Sequence, residues 1–87
     1  MMNKEVSRDE ILQEIVRTMS ETFEMDAEEI KPESRLFEDL DLDSIDAIDM
    51  AVKMQDITGK RVDEDSLRTL RTVNDVVDLA ERLLREG

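Results

Sequence analysis

The chain has no cysteine and no histidine. Without cysteine, neither a disulfide nor a thiolate metal site can brace the fold. Without histidine, the commonest general base and the commonest transition-metal ligand are both missing. Nucleophilic triads and zinc chemistry are thereby set aside. Tryptophan and tyrosine are absent as well, leaving Phe23 and Phe37 as the aromatic residues and Pro32 as the one proline. No apolar run approaches the ~20 residues of a membrane span. Met1 to Glu10 mixes charges of both signs without an apolar stretch, so no signal peptide is expected. The expectation is a soluble, cytoplasmic protein.

Basic residues are also scarce. Twelve stand against 24 acids, a net charge of −12. The imbalance is local: residues 20–56 hold thirteen acids and three bases (Lys31, Arg35, Lys53), so 3 − 13 = −10 of the net charge falls there. Such a field repels nucleic acid and anionic membranes and steers basic protein surfaces toward this segment. Solubility is the plainer use of the same charge. Eighty-seven residues suit one domain, 1–87, with an ordered core over about 7–85 and little apolar material to spare.

The expected class is all-α. Ser7 can cap a first helix, Glu10 completes a capping box, and Val6 can pack onto Ile11. Ile11, Leu12, Ile15, Val16, Met19 and Phe23 recur at helical spacing, which predicts a helix from about Arg8 to Glu21. Residues 24–42 keep no period. Asp26 to Glu29 suits a single turn, Pro32 disfavours helix at Lys31, and Ile30, Leu36, Phe37, Leu40 and Leu42 are the expected pins of a long loop.

A second helix is predicted from near Asp43 to Gly59, a residue suited to a left-handed C-terminal position. At 100° per residue, Asp46, Asp49, Lys53 and Asp56 fall on one stripe. Met50, Met54, Ile57, Ala47 and Ala51 fall on the opposite, core-like side, and Ile45, Ile48 and Val52 form a third strip beside the acids. Asp63 or Asp65 can start a short helix through Leu67 and Leu70. Thr72 and Asp75 can cap a last helix whose Val73, Val76, Val77, Ala80, Leu83 and Leu84 make a clean apolar stripe, with Arg82 and Arg85 suiting its C-terminal dipole. The expected whole is an antiparallel bundle of three main helices and a short one.

Asp43-Ser44-Ile45, one serine amid the acids Glu38 to Asp49 at a helix start, resembles the Asp-Ser-Leu motif of acyl carrier proteins. Leu36-Phe37-Glu38-Asp39-Leu40 resembles the loop before that motif, Gly59 with Val62 the exit of its helix, and Thr72 to Val76 the start of the last helix. The similarity runs over about residues 7–85. It implies that Ser44 accepts 4′-phosphopantetheine from coenzyme A through a separate phosphopantetheinyl transferase. A phosphate there would suit the amides of a helix N-terminus. It also implies that Asp43 precedes and caps the modified position.

By the same resemblance, Asp46, Asp49 and Asp56 dock on Arg/Lys patches of acyl-transfer and ketosynthase-type enzymes. Ile45, Ile48 and Val52 would touch those partners, although as plain helix residues they serve equally as core. The chain would carry cargo rather than catalyse, as a monomer, with the thiol supplied by the arm. Lys53 interrupts the acidic stripe where a small neutral residue is common, and Thr58 stands where a phenylalanine is common. Both departures favour a specialised polyketide or polyene pathway over housekeeping fatty-acid synthesis. Aminoacyl or D-alanyl cargo and an unmodified acidic adaptor are the alternatives. Asp39, Asp41 and Asp43 also have the spacing of the first ligands of an EF-hand loop, but Ser44 and Met50 occupy its glycine and glutamate positions. Weak divalent binding to the acidic segment is expected all the same.

Overall fold

The computed structural model describes residues 5–85. Four helices follow one another: α1 Arg8–Phe23, α2 Ser44–Thr58, α3 Glu64–Arg68 and α4 Val73–Arg85, with a single 3₁₀ turn at Ala27–Glu29 in the first loop. All-α is therefore the observed class, and each helix begins where its cap residue stands. The Ser7 hydroxyl accepts from the Glu10 amide at 3.2 Å. Asp63, rather than Asp65, caps α3 through the Ser66 amide at 2.8 Å. Thr72 and Asp75 form a reciprocal box at the head of α4, with the Thr72 amide 3.0 Å from Asp75 Oδ2 and the Asp75 amide 3.3 Å from Thr72 Oγ1.

The predicted end of α1 falls two residues short. The helix runs to Phe23, and Glu24 closes it at φ 53° in the left-handed region. At the far end of α2, Gly59 takes φ 71° and needs no side chain there. Thr58 is buried, its hydroxyl donating to the Met54 carbonyl at 2.8 Å and accepting from the Lys60 amide at 3.1 Å. A phenylalanine could not supply those bonds.

Ile11, Ile15 and Met19 of α1, Met50 and Met54 of α2, and Val73, Val76, Val77 and Leu83 of α4 meet in one core. Arg8 ties the outer edge of α1 to α4 through Asp78 at 2.7 Å and Asn74 at 3.4 Å. The pair is exposed, so its contribution is small.

The long first loop is ordered by two means. Ile30, Leu36, Leu40 and Leu42 enter the core as expected, but Phe37 does not. The correction has a steric reason: Leu36 and Leu40 already take the inward space from this short segment. The second means is the backbone. The Leu36 amide donates to the Arg71 carbonyl at 2.8 Å, the Val73 amide to Ser34 at 3.0 Å and the Asn74 amide to Pro32 at 2.9 Å. An isolated antiparallel bridge joins Arg35 to Thr72. The loop is thus stapled to the head of α4, which satisfies backbone groups that a free loop would leave to water.

Candidate functional site

The site is the start of α2. Asp43 sits in extended backbone as the N-cap, accepting from the Asp46 amide at 3.0 Å, and Asp46 returns a carboxylate oxygen to the Asp43 amide at 3.1 Å. Two carboxylates thereby satisfy donors that every helix start leaves open. The first intrahelical bond runs from the Ala47 amide to the Asp43 carbonyl at 3.0 Å. The Ser44 and Ile45 amides precede it and point out of the helix end. Ser44 is exposed as the first helical residue, so its hydroxyl is open to an approaching enzyme.

The approach to Ser44 is braced. Arg35 holds Asp39 by its amide at 2.9 Å and its Nε at 3.3 Å, and reaches Glu38 at 2.5 Å. The Arg35 amide, and then its guanidinium, keep the Asp39 carboxyl below the usual carboxylate range. The Leu42 amide closes the turn on the Leu36 carbonyl at 3.1 Å, with Asp41 between them at φ 58°. Aspartate tolerates that left-handed conformation better than most side chains. Such a turn is not an EF-hand, because residues 44–50 are helical instead of running on as a ligand loop.

The three strips foreseen on α2 separate in space. Met50, Ala51, Met54 and Ile57 are buried and Ala47 is half-buried. Asp49, Lys53 and Asp56 are exposed, whereas Asp46 is half-buried and engaged in the capping box. Ile45, Ile48 and Val52, equally open to a core role in the sequence, stand in water at 70%, 58% and 49% exposure. Phe37 joins them at 46%. Sequence reasoning missed Phe37 as a surface residue, since a loop without a period carries no signal that separates it from Leu36.

An exposed hydroxyl at a helix N-terminus, with two outward amides and carboxylates already turned to their own backbone, fits a phosphodiester-linked group. The chain matches the family model described as "Phosphopantetheine attachment site" over residues 13–80. It is 45% identical over 75 residues to acyl carrier protein 2 of Ralstonia nicotianae, covering 86% of this chain and 93% of that protein. It is 35% identical over 82 residues to the meromycolate extension acyl carrier protein of Mycobacterium leprae, covering 94% of this chain and 71% of that one. Its fold superposes on the acyl carrier protein of Thermotoga maritima with a TM-score of 0.79 and 29% identity, over 91% of this chain and 92% of the other. The chain belongs to the acyl carrier protein family: it is a carrier rather than an enzyme, and its cofactor is 4′-phosphopantetheine held covalently on a serine.

Proposed function

We propose that Ser44 is that serine, and that the protein carries acyl or polyketide intermediates as thioesters for enzymes of fatty-acid or specialised polyketide synthesis. The observation that carries the reading is the exposed Ser44 hydroxyl as the first residue of α2, directly after a capped aspartate. In the modification, Ser44 Oγ bonds to the phosphorus that bears the pantetheine of coenzyme A. The pyrophosphate P–O bond breaks, and adenosine bisphosphate leaves. The hydroxyl proton goes to a base on the transferase, because the carboxylates nearest Ser44, Asp43 and Asp46, are turned to their own backbone in the capping box. The arm, when bound, supplies a thiol that forms thioesters.

The chain's own residues do the presenting. Asp43 and Asp46 set the direction of the first turn, and the stapled loop keeps that turn in one place. Asp49 and Asp56 offer negative charge to basic docking surfaces, where they govern encounter rate and partner choice more than affinity. Ile45, Ile48 and Val52 add apolar contact beside them. Fatty acyl cargo is supported by relatives named for meromycolate extension. Lys53, exposed between Asp49 and Asp56, supports a partner set of its own and so a specialised pathway. Coenzyme A as donor favours the cytoplasm, and the net charge of −12 favours a monomer.

The test is intact mass after incubation with coenzyme A and a broad-specificity phosphopantetheinyl transferase. One phosphopantetheinyl unit is expected on the wild type and none on Ser44→Ala. A folded, unmodified wild type that gains nothing would falsify the assignment, and a gain retained by Ser44→Ala would move it to another serine.

A further inference from the structure

Among the described residues, the large apolar side chains left exposed are Phe37, Ile45, Ile48 and Val52. Ile45, Ile48 and Val52 follow Ser44 along α2, and Phe37 lines a cavity with Ala47, one turn from the serine. At about 100° per residue, Ser44 falls between Ala47 on one side of α2 and Ile48 on the other. Ile48 continues into the strip with Ile45 and Val52. On the Ala47 side, the neighbour is Phe37, which helps enclose a small apolar cavity with Leu42, Ala47, Met50 and Leu67. One part of the ring is therefore held by the domain while the rest faces water. The serine lies in a shallow apolar field with an edge on each side.

Exposed acids border the field at Glu38, Asp41, Asp43 and Asp49. A second copy of the chain would set this rim against itself, at −12 per molecule. The occupant that fits is an apolar surface bordered by Arg and Lys, brought by the enzyme that must reach the exposed Ser44 hydroxyl. We propose that Phe37 is a contact residue for the phosphopantetheinyl transferase, the aromatic edge of a docking surface that α2 alone does not complete. The proposal rests on Ser44 as the attachment point and adds a contact from outside the helix. An aromatic side chain that a partner buries fully can carry a large share of an interface's affinity.

The experiment is steady-state transfer from coenzyme A by a broad-specificity transferase, with the carrier concentration varied and each variant shown helical by circular dichroism. Phe37→Ser is expected to raise KM for the carrier about fivefold with kcat within about twofold of wild type, as loss of a docking contact requires. Phe37→Met, which restores apolar contact and packing, is expected to return KM most of the way. Gln13→Ala, an exposed change on α1, is expected to leave both constants alone. Should Phe37→Ser lose its helical signal, Phe37→Gln replaces it under the same criterion. An unchanged KM, or a rise that only tracks the unfolded fraction, overturns the role of Phe37 while leaving Ser44 in place. A wild type that never gains the arm overturns both.

Discussion

Helices α2 and α4 have similar lengths and both are rich in apolar residues, yet they treat those residues differently. In α4, Val73, Val76, Val77, Leu79, Ala80, Leu83 and Leu84 are all buried, and the rest of the helix is polar. In α2, Met50, Ala51, Met54 and Ile57 are buried, while Ile45, Ile48 and Val52 remain outside. The hydrophobic effect explains α4 completely: one stripe, one core. It explains only half of α2. Apolar surface kept in water beside an exposed serine has no role in holding this domain together, and it is what a partner enzyme can cover. In the function proposed above, that surface is what the enzymes meeting the carrier would cover.

The widest gap between the helices should appear on truncation. Leu83→Ala in α4 is expected to destabilise by about 2–4 kcal/mol, because it empties a packed site. Ile48→Ala in α2 is expected to change stability by less than about 0.5 kcal/mol, as surface substitutions do. Urea unfolding of the two variants measures both, and a similar loss in each would erase the distinction drawn between the helices.

Next in size is the cap. Asp43→Ala breaks the reciprocal box with Asp46 and is expected to cost about 1–2 kcal/mol, with Asp43→Asn recovering most of it. Thr72→Ala at the matching box of α4 should cost about 1 kcal/mol and leave the transfer reaction untouched. Thermal melts paired with transfer kinetics separate the two: only the Asp43 change should slow modification of Ser44.

A polar substitution sharpens the contrast on the function side. Ile48→Ser is expected to keep the melting temperature within a few degrees, about what 0.5 kcal/mol moves a domain of this size, and to weaken use by partner enzymes through KM. Val77→Ser, its counterpart in α4, should leave little folded protein. Retained partner kinetics for Ile48→Ser would remove the strip from the docking surface.

The smallest effect is pH-dependent and lies in the approach to α2. The folded state holds the Asp39 carboxyl below its ordinary value of 3.8. Its contribution is therefore complete above the unfolded value and is lost as pH falls through the folded one. Asp39→Asn should accordingly be less stable than wild type at neutral pH, and the gap should close in acid. A gap that widens toward low pH would contradict the sign of that shift.

Much of this was legible in the residues. Capping pairs at Ser7/Glu10 and Thr72/Asp75, the 3-4 spacing of Ile11, Ile15 and Met19, and Gly59 after the last turn of α2 mark the helices to within two residues. The Asp43-Ser44 pair was visible in the same way. Cap chemistry and periodicity are local, so they survive in the linear order of the chain. The reciprocal bond of Asp46 was less visible, since Asp46 also falls on the charged stripe with Asp49 and Asp56 and reads equally well as an exposed acid.

By itself, then, the sequence determined the helices, the excess acid around them and the serine at the head of α2. Tertiary structure decided which apolar residues stay out. Periodicity states which side chains share a face, but α2 carries apolar residues around most of its girth, and nothing local ranks one strip above another. Packing ranks them: α1, α4 and the stapled loop cover the Met50–Met54 side and have no surface left for Ile45, Ile48 and Val52. Phe37 was decided the same way, by Leu36 and Leu40 filling the interior first. The choice of Asp63 over Asp65 also came from geometry. A covered face is a property of neighbours, and only the folded chain has them.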